Sequence, residues 1–305
     1  MRYILKIFYL ACLTLLPLCG YAEERIRVVA TTPDLADITE RIGGDLVQVS
    51  RIATGVEDPH GVPMKPSFAT MLNRADLLIL QGLNLEDAFL PGLLEAARNP
   101  KIKKGGPGYI DCSINVVARE IPTQLDRAMG EQHPLGNPHY NLDPVAARGI
   151  VDAIADGLSK ELPQHKALIT ENRKAYLSEL ESWIERWRAY AAPLKGVRYV
   201  SYHPDLIYLA ARYGMEQAGT IELRAGVDAT PSHIAGLEAE MKSKGVKLVI
   251  REKHYPAELA QTIAQATGAT LVDLPIMSGG LPETKSYISF IDYNLRQLVA
   301  AVHTK

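Results

Sequence analysis

The sequence HKALITENRKAYLSELESWIERWRAYAA, from His165 to Ala192, has the longest helical pattern in this 305-residue chain. Its larger apolar residues recur three or four positions apart, which is typical of one packed face of a helix. They are Leu168, Tyr176, Leu180, Trp183, Trp187 and Ala191. Pro193 and Gly196 end the pattern. At about 1.5 Å per residue, such a helix spans roughly 40 Å, the size of a domain.

Short apolar strands alternate with helical patterns on both sides of this helix. Arg27–Thr32 and Ala75–Gln81 are typical strands of the first half, and Val197–Ser201 and Val246–Ile250 of the second. Strands that are apolar on both faces and alternate with helices indicate a parallel sheet covered on both sides. We therefore expect an α/β fold of two lobes, each with a mainly parallel sheet flanked by helices, joined by one long helix. The predicted boundaries are 23–163 for the first lobe, 164–195 for the connecting helix and 196–305 for the second lobe.

The amino terminus has the pattern of a secretory signal. Basic residues in Met1–Lys6 precede the uncharged apolar run Ile7–Leu18, and small residues lead to Ala22. This pattern predicts a signal peptide over residues 1–22, cleavage after Ala22 and a periplasmic location. A lipoprotein that begins at Cys19 is the alternative; Leu18 disfavours it, because a small residue is expected there.

Charge and cysteine content exclude several classes. Loss of Arg2 and Lys6 with the signal would change the net charge from −2 to −4. Nucleic-acid binding requires a basic face, so we do not expect it. Cys112 would be the only cysteine of the mature chain, which excludes an intramolecular disulfide. We expect a monomer.

Three histidines lie beside prolines in separate turns. They are His60 in EDPHG, His139 in NPHYNLDP and His203 in VSYHPD. Proline fixes its own φ and restricts the preceding residue, so each imidazole is expected to have a set direction. A single such histidine is more often an ordinary loop residue. The combination of three indicates a metal site, and neutral imidazole suits zinc.

These motifs resemble those of the cluster A-I (cluster 9) solute-binding proteins, the zinc and manganese receptors of bacterial ABC importers. The similarity includes Asp58-Pro59-His60, the NPHYNLDP block at 137–144 and YLAARYG at 208–214 after His203. It extends to GATL at 268–271 and Gly279-Gly280 near the end of the chain. The resemblance covers essentially the whole mature sequence.

The resemblance implies a receptor that holds a metal between its lobes and delivers it to a membrane permease. His60 and His139 would come from the first lobe and His203 from the second. A histidine rather than a carboxylate at 203 favours zinc (Zn²⁺) over manganese (Mn²⁺) as the transported ion. The fourth ligand is expected to be Asp273; Glu222 or a water is the alternative.

Other functions remain open at this point. Three histidines with an open fourth position also occur in zinc hydrolases, and Glu57 could act as a general base. The sequence has no HExxH or GxSxG motif, which disfavours an enzyme. A manganese receptor or an adhesin of the same fold is a further alternative. His133 and His254 are expected at the surface.

Overall fold

The computed structural model describes residues 25–125 and 132–303. The predicted signal peptide, Cys19 included, lies outside the described residues. Within the described ranges, no helix combines the length and apolar character that a bilayer crossing requires.

The first lobe contains a four-stranded parallel sheet in the order β2-β1-β3-β4. Its strands are β1 Ile26–Ala30, β2 Val47–Arg51, β3 Leu77–Leu80 and β4 Tyr109–Asp111. Its helices are α1 Pro33–Gly43, α2 Pro66–Asn73, α3 Leu90–Ala97 and α4 Ala147–Glu161. All four residues of β3 are buried, as expected for a strand covered on both faces.

The second lobe repeats this arrangement with the strand order β6-β5-β7-β8. Its strands are β5 Arg198–Ser201, β6 Glu216–Thr220, β7 Leu248–Glu252 and β8 Thr270–Leu274. Its helices are α6 Ile207–Tyr213, α7 Pro231–Lys244, α8 Ala257–Thr267 and α9 Tyr287–His303. Gly245 and Gly268 end α7 and α8 in the left-handed conformation that favours glycine.

The long connecting helix is α5, Lys166–Tyr190. Its buried face joins a hydrophobic core that contains residues of both lobes. Trp187 is buried in that core, and its Nε1 donates to Asp292 on α9 at 3.1 Å. Leu168 was expected on the packed face but is exposed, and Ile169 is buried instead. The predicted fold of two parallel α/β lobes and one long helix is confirmed.

The segment Pro275–Gly280, which follows β8, crosses from the second lobe to the first. The backbone carbonyl of Ile276 accepts a hydrogen bond from Asn141 Nδ2 at 2.9 Å. The backbone N–H of Ser278 donates to the buried carboxylate of Asp34 at 2.8 Å. This crossing segment therefore ties the two lobes together at a second place besides α5.

A buried carboxylate, Glu86, organises the carboxyl edge of the first sheet. Its Oε1 accepts from Thr31 Oγ1 at 2.6 Å and from the backbone N–H of Gln81 at 2.8 Å, and its Oε2 accepts from Gly82 N–H at 3.1 Å. The side chain of Gln81 in turn donates to the carbonyl of Pro138 at 2.7 Å. Through these bonds, Glu86 supports the turn that carries His139.

Burial raises the pKa of Glu86 from 4.5 to about 7. Between these values the folded protein keeps a proton that the unfolded chain has released, so stability must fall as pH rises. The loss attributable to Glu86 should reach about 3 kcal/mol between about pH 5 and pH 8. Urea unfolding of the metal-free protein should show a smaller loss in Glu86→Gln than in the wild type. Glu95→Gln, a change at an exposed carboxylate of the same lobe, is the control; equal losses in all three proteins would contradict the assignment.

Candidate metal centre

The three predicted histidines all occupy turns at the junction of the lobes. His60 lies in the loop after β2, His139 begins a short 3₁₀ turn before α4, and His203 lies two residues after the end of β5. The backbone N–H of His60 donates to Asp58 Oδ1 at 2.9 Å, and that of His139 donates to Asn137 Oδ1 at 3.0 Å. Each bond is made by the side chain two residues earlier, which fixes the turn locally.

The structure brings these histidines together with Asp205. All four side chains are buried, and their offered ligand atoms lie within 4.8 Å of one another. The Nε2 atoms of His60 and His139 are 3.0 Å apart, and His139 Nε2 is 2.7 Å from Asp205 Oδ1. Donors bonded to one tetrahedral zinc at about 2.0 Å lie about 3.3 Å from one another. The cluster therefore has the dimensions of a four-coordinate metal site.

Asp205 is the ligand candidate that the sequence analysis missed. It is 1 % exposed, and neither carboxylate oxygen accepts a hydrogen bond of good geometry from the described residues. Burial acts to raise its pKa, but the neighbouring His139 and His203 outweigh burial and hold the pKa well below its usual range. Buried carboxylates that remain charged are paired with cationic groups or bound to a metal. Its spacing, two residues after His203 across a proline, is the signal that could have identified it.

Asp273 does not lie in this cluster, and our expectation for the fourth ligand is corrected accordingly. It lies on β8 beside Arg251 of β7, whose Nε donates to Asp273 Oδ1 at 2.7 Å. The Asp273 side chain is 40 % exposed. Because side chains alternate between the faces of a strand, a carboxylate at this register pairs with its strand neighbour instead.

Glu222, the other candidate, contacts the rear of His203. Its Oε2 lies 2.7 Å from His203 Nδ1 and also accepts from the backbone N–H of Gly226 at 3.0 Å. Burial would lower the pKa of His203, but Asp205 and Glu222 raise it to about 9. A carboxylate on Nδ1 places a proton there and leaves Nε2 directed at the cluster. Glu222 is thus placed to orient His203.

Two further histidines flank the cluster. His133, expected at the surface, stacks on His60 with ring centroids 5.0 Å apart and an interplanar angle of 28°. Burial lowers its pKa to about 4. His254 is half-buried and contacts Tyr255 with ring centroids 4.3 Å apart. Both side chains are partly buried and not fully exposed.

Two parallel α/β lobes with three imidazoles and one carboxylate at their junction define a two-lobed metal-binding protein. The family model described as "ZnuA: Zinc-uptake complex component A periplasmic" matches residues 28–301, and the chain belongs to this family. A crystal structure of ZnuA has the same fold, with a TM-score of 0.77 and 24 % identity over 92 % of this chain and 100 % of that one.

Relatives named for both metals are similar to this chain. The zinc-binding lipoprotein AdcA of Streptococcus pneumoniae R6 is 25 % identical over 91 % of this chain, but the match spans only 56 % of AdcA. The high-affinity zinc uptake protein ZnuA of Bacillus subtilis is 23 % identical over 94 % of each chain. The manganese transporter lipoprotein PsaA of S. pneumoniae TIGR4 is 26 % identical over 90 % of this chain and 88 % of its own.

The two aspartates provide a direct test of the fourth ligand. Asp205→Asn removes the buried charge and should weaken zinc binding by more than about 100-fold. This effect is larger than that expected for a residue that only hydrogen-bonds to a metal ligand. Asp273→Asn should leave zinc binding nearly unchanged, because the carboxylate of Asp273 pairs with Arg251. Competition with a chromophoric zinc chelator measures both. Equal losses of zinc affinity in the two variants, or a larger loss in Asp273→Asn, would show that Asp205 is not the fourth ligand.

Proposed function

We propose that this protein captures a divalent metal ion outside the cytoplasm and delivers it to the membrane permease of an ABC importer. The observation that carries this proposal is a buried set of four donors contributed by two lobes. His60 and His139 come from the first lobe, and His203 and Asp205 come from the second. A bound ion would link the lobes, and small shifts of the turns that carry its donors would release it. Membership of a family described as periplasmic supports the location.

The donor set favours zinc over manganese. Three imidazoles and one carboxylate are typical ligands of tetrahedral zinc, whereas manganese prefers oxygen donors and more of them. Burial and the neighbouring imidazole of His139 lower the pKa of His60 well below 6.5, which keeps its ring neutral. A neutral ring is the form that binds a metal. A manganese receptor of the same fold is the second candidate, because Asp205 offers carboxylate oxygens.

Several contacts support capture rather than hydrolysis. A hydrolytic zinc site keeps one coordination position open for water. Here Asp205 supplies a fourth donor. Glu57, the candidate general base, accepts hydrogen bonds from the N–H of Thr54 at 2.9 Å and from its hydroxyl at 2.8 Å. These bonds hold Glu57 against its own loop. We infer that the protein is a receptor and not an enzyme.

The protein should bind one zinc ion per chain. Its affinity for zinc should exceed its affinity for manganese by about 10-fold or more, because imidazole donors favour zinc. Calorimetry on the metal-stripped protein, with each ion in turn, measures both the stoichiometry and the preference. His139→Ala removes one donor and should weaken the binding of both ions.

The outcomes separate the candidates. Equal or stronger manganese binding would contradict the zinc preference, and failure to bind either ion would contradict capture itself. Zinc-dependent turnover of ester or peptide substrates by the wild type, lost in His139→Ala, would favour the hydrolase instead.

A further inference from the structure

Hydrogen bonds within the first lobe hold His133 beside the metal centre. Its ring N–H donates to the backbone carbonyl of Asn84. The backbone N–H of Leu135 donates to Asn84 Oδ1 at 3.3 Å, and Gly136 N–H closes the turn on the His133 carbonyl at 2.9 Å. These three bonds fix the turn that presents the His133 ring to His60.

The loop that anchors His133 has an unusual backbone. Gly82, Leu83 and Asn84 have φ values of 79°, 51° and 69°. Consecutive left-handed residues are costly when two of them carry side chains, and they persist only where surrounding contacts require them. Here those contacts include the bonds from Asn84 to the turn of His133.

The ring of His133 is more exposed than the His60 ring on which it stacks. His60 is only 6 % exposed, whereas His133 is partly exposed and lies over a face of the His60 ring. His133 is not among the four residues whose ligand atoms converge. We propose that His133 is a specificity-determining cover, which excludes water from the bound metal and keeps the ion at four ligands. This inference rests on the proposed function and deepens it.

A cover over the site would favour zinc because zinc and manganese differ in preferred coordination number. Zinc is stable with four tetrahedral donors, whereas manganese favours six. A face closed to water denies manganese its additional oxygen ligands. A hydrophobic or aromatic shell that limits solvent access is one way in which groups beyond the ligands tune a metal site.

Two substitutions separate a cover from an additional ligand. His133→Phe keeps an aromatic ring over His60 but has no nitrogen donor, and His133→Ala removes the ring. Cobalt(II) is the probe, because a four-coordinate ion absorbs visible light more strongly than one that has gained water. We expect His133→Phe to match the wild type. His133→Ala should show weaker cobalt absorption, zinc dissociation about 10-fold faster and a smaller preference for zinc over manganese.

Two results would overturn the proposal. An unchanged cobalt spectrum and zinc dissociation rate in His133→Ala would show that the ring does not exclude water from the metal. Equal defects in His133→Phe and His133→Ala would assign the imidazole a ligand role instead. His254→Ala, on the other flank of the site, is the control and should retain the wild-type spectrum. Failure of the wild type to bind cobalt or zinc would overturn metal capture itself. That result is distinguishable from loss of the cover, in which the wild type binds both ions and only the variant changes.

Discussion

The buried negative charge of Asp205 among three imidazoles is the constraint on which the site depends. An isolated carboxylate in the protein interior costs several kcal/mol unless a cation or hydrogen bonds compensate it. Its oxygens accept no hydrogen bond of good geometry from the described residues, and the surrounding histidines hold its pKa low. A divalent ion placed between Asp205, His60 and His139 would compensate this charge directly. The rest of the structure then serves to hold four donors at that spacing.

Two connections restrict how far the donors can separate. Helix α5 packs into a core shared by both lobes, and the crossing segment Pro275–Gly280 is bonded to Asn141 and Asp34 of the first lobe. Gly55, in the loop that leads to His60, lies so close that a Cβ there would be 2.1 Å from the Ser278 carbonyl oxygen. The crossing segment therefore packs directly against a loop that carries a donor. We expect metal capture and release to involve small shifts of turns, because a wide swing would break core packing and these contacts together.

The sequence predicts much of the fold because its signals are local. The 3.6-residue pattern of α5, the apolar strands and glycines such as Gly245 each specify their element without tertiary information. His60, His139 and His203 could be chosen from rigid turns for the same reason. Asp273 could not be excluded as a ligand from sequence, because its position depends on strand register and on the ion pair with Arg251. The stacking of His133 on His60 joins residues far apart in sequence, so no local pattern indicates it.

X-ray absorption at the zinc edge of the zinc-loaded wild-type protein measures the ligand set of the ion itself. We expect a four-coordinate ion with three imidazole nitrogens and one oxygen, at about 2.0–2.2 Å, and multiple scattering from three rings. The Asp205→Asn protein should lose this first shell or replace its carboxylate oxygen with that of water. A first shell with only two imidazoles, or a six-coordinate shell dominated by oxygen, would contradict the assignment of His60, His139, His203 and Asp205 as the metal ligands.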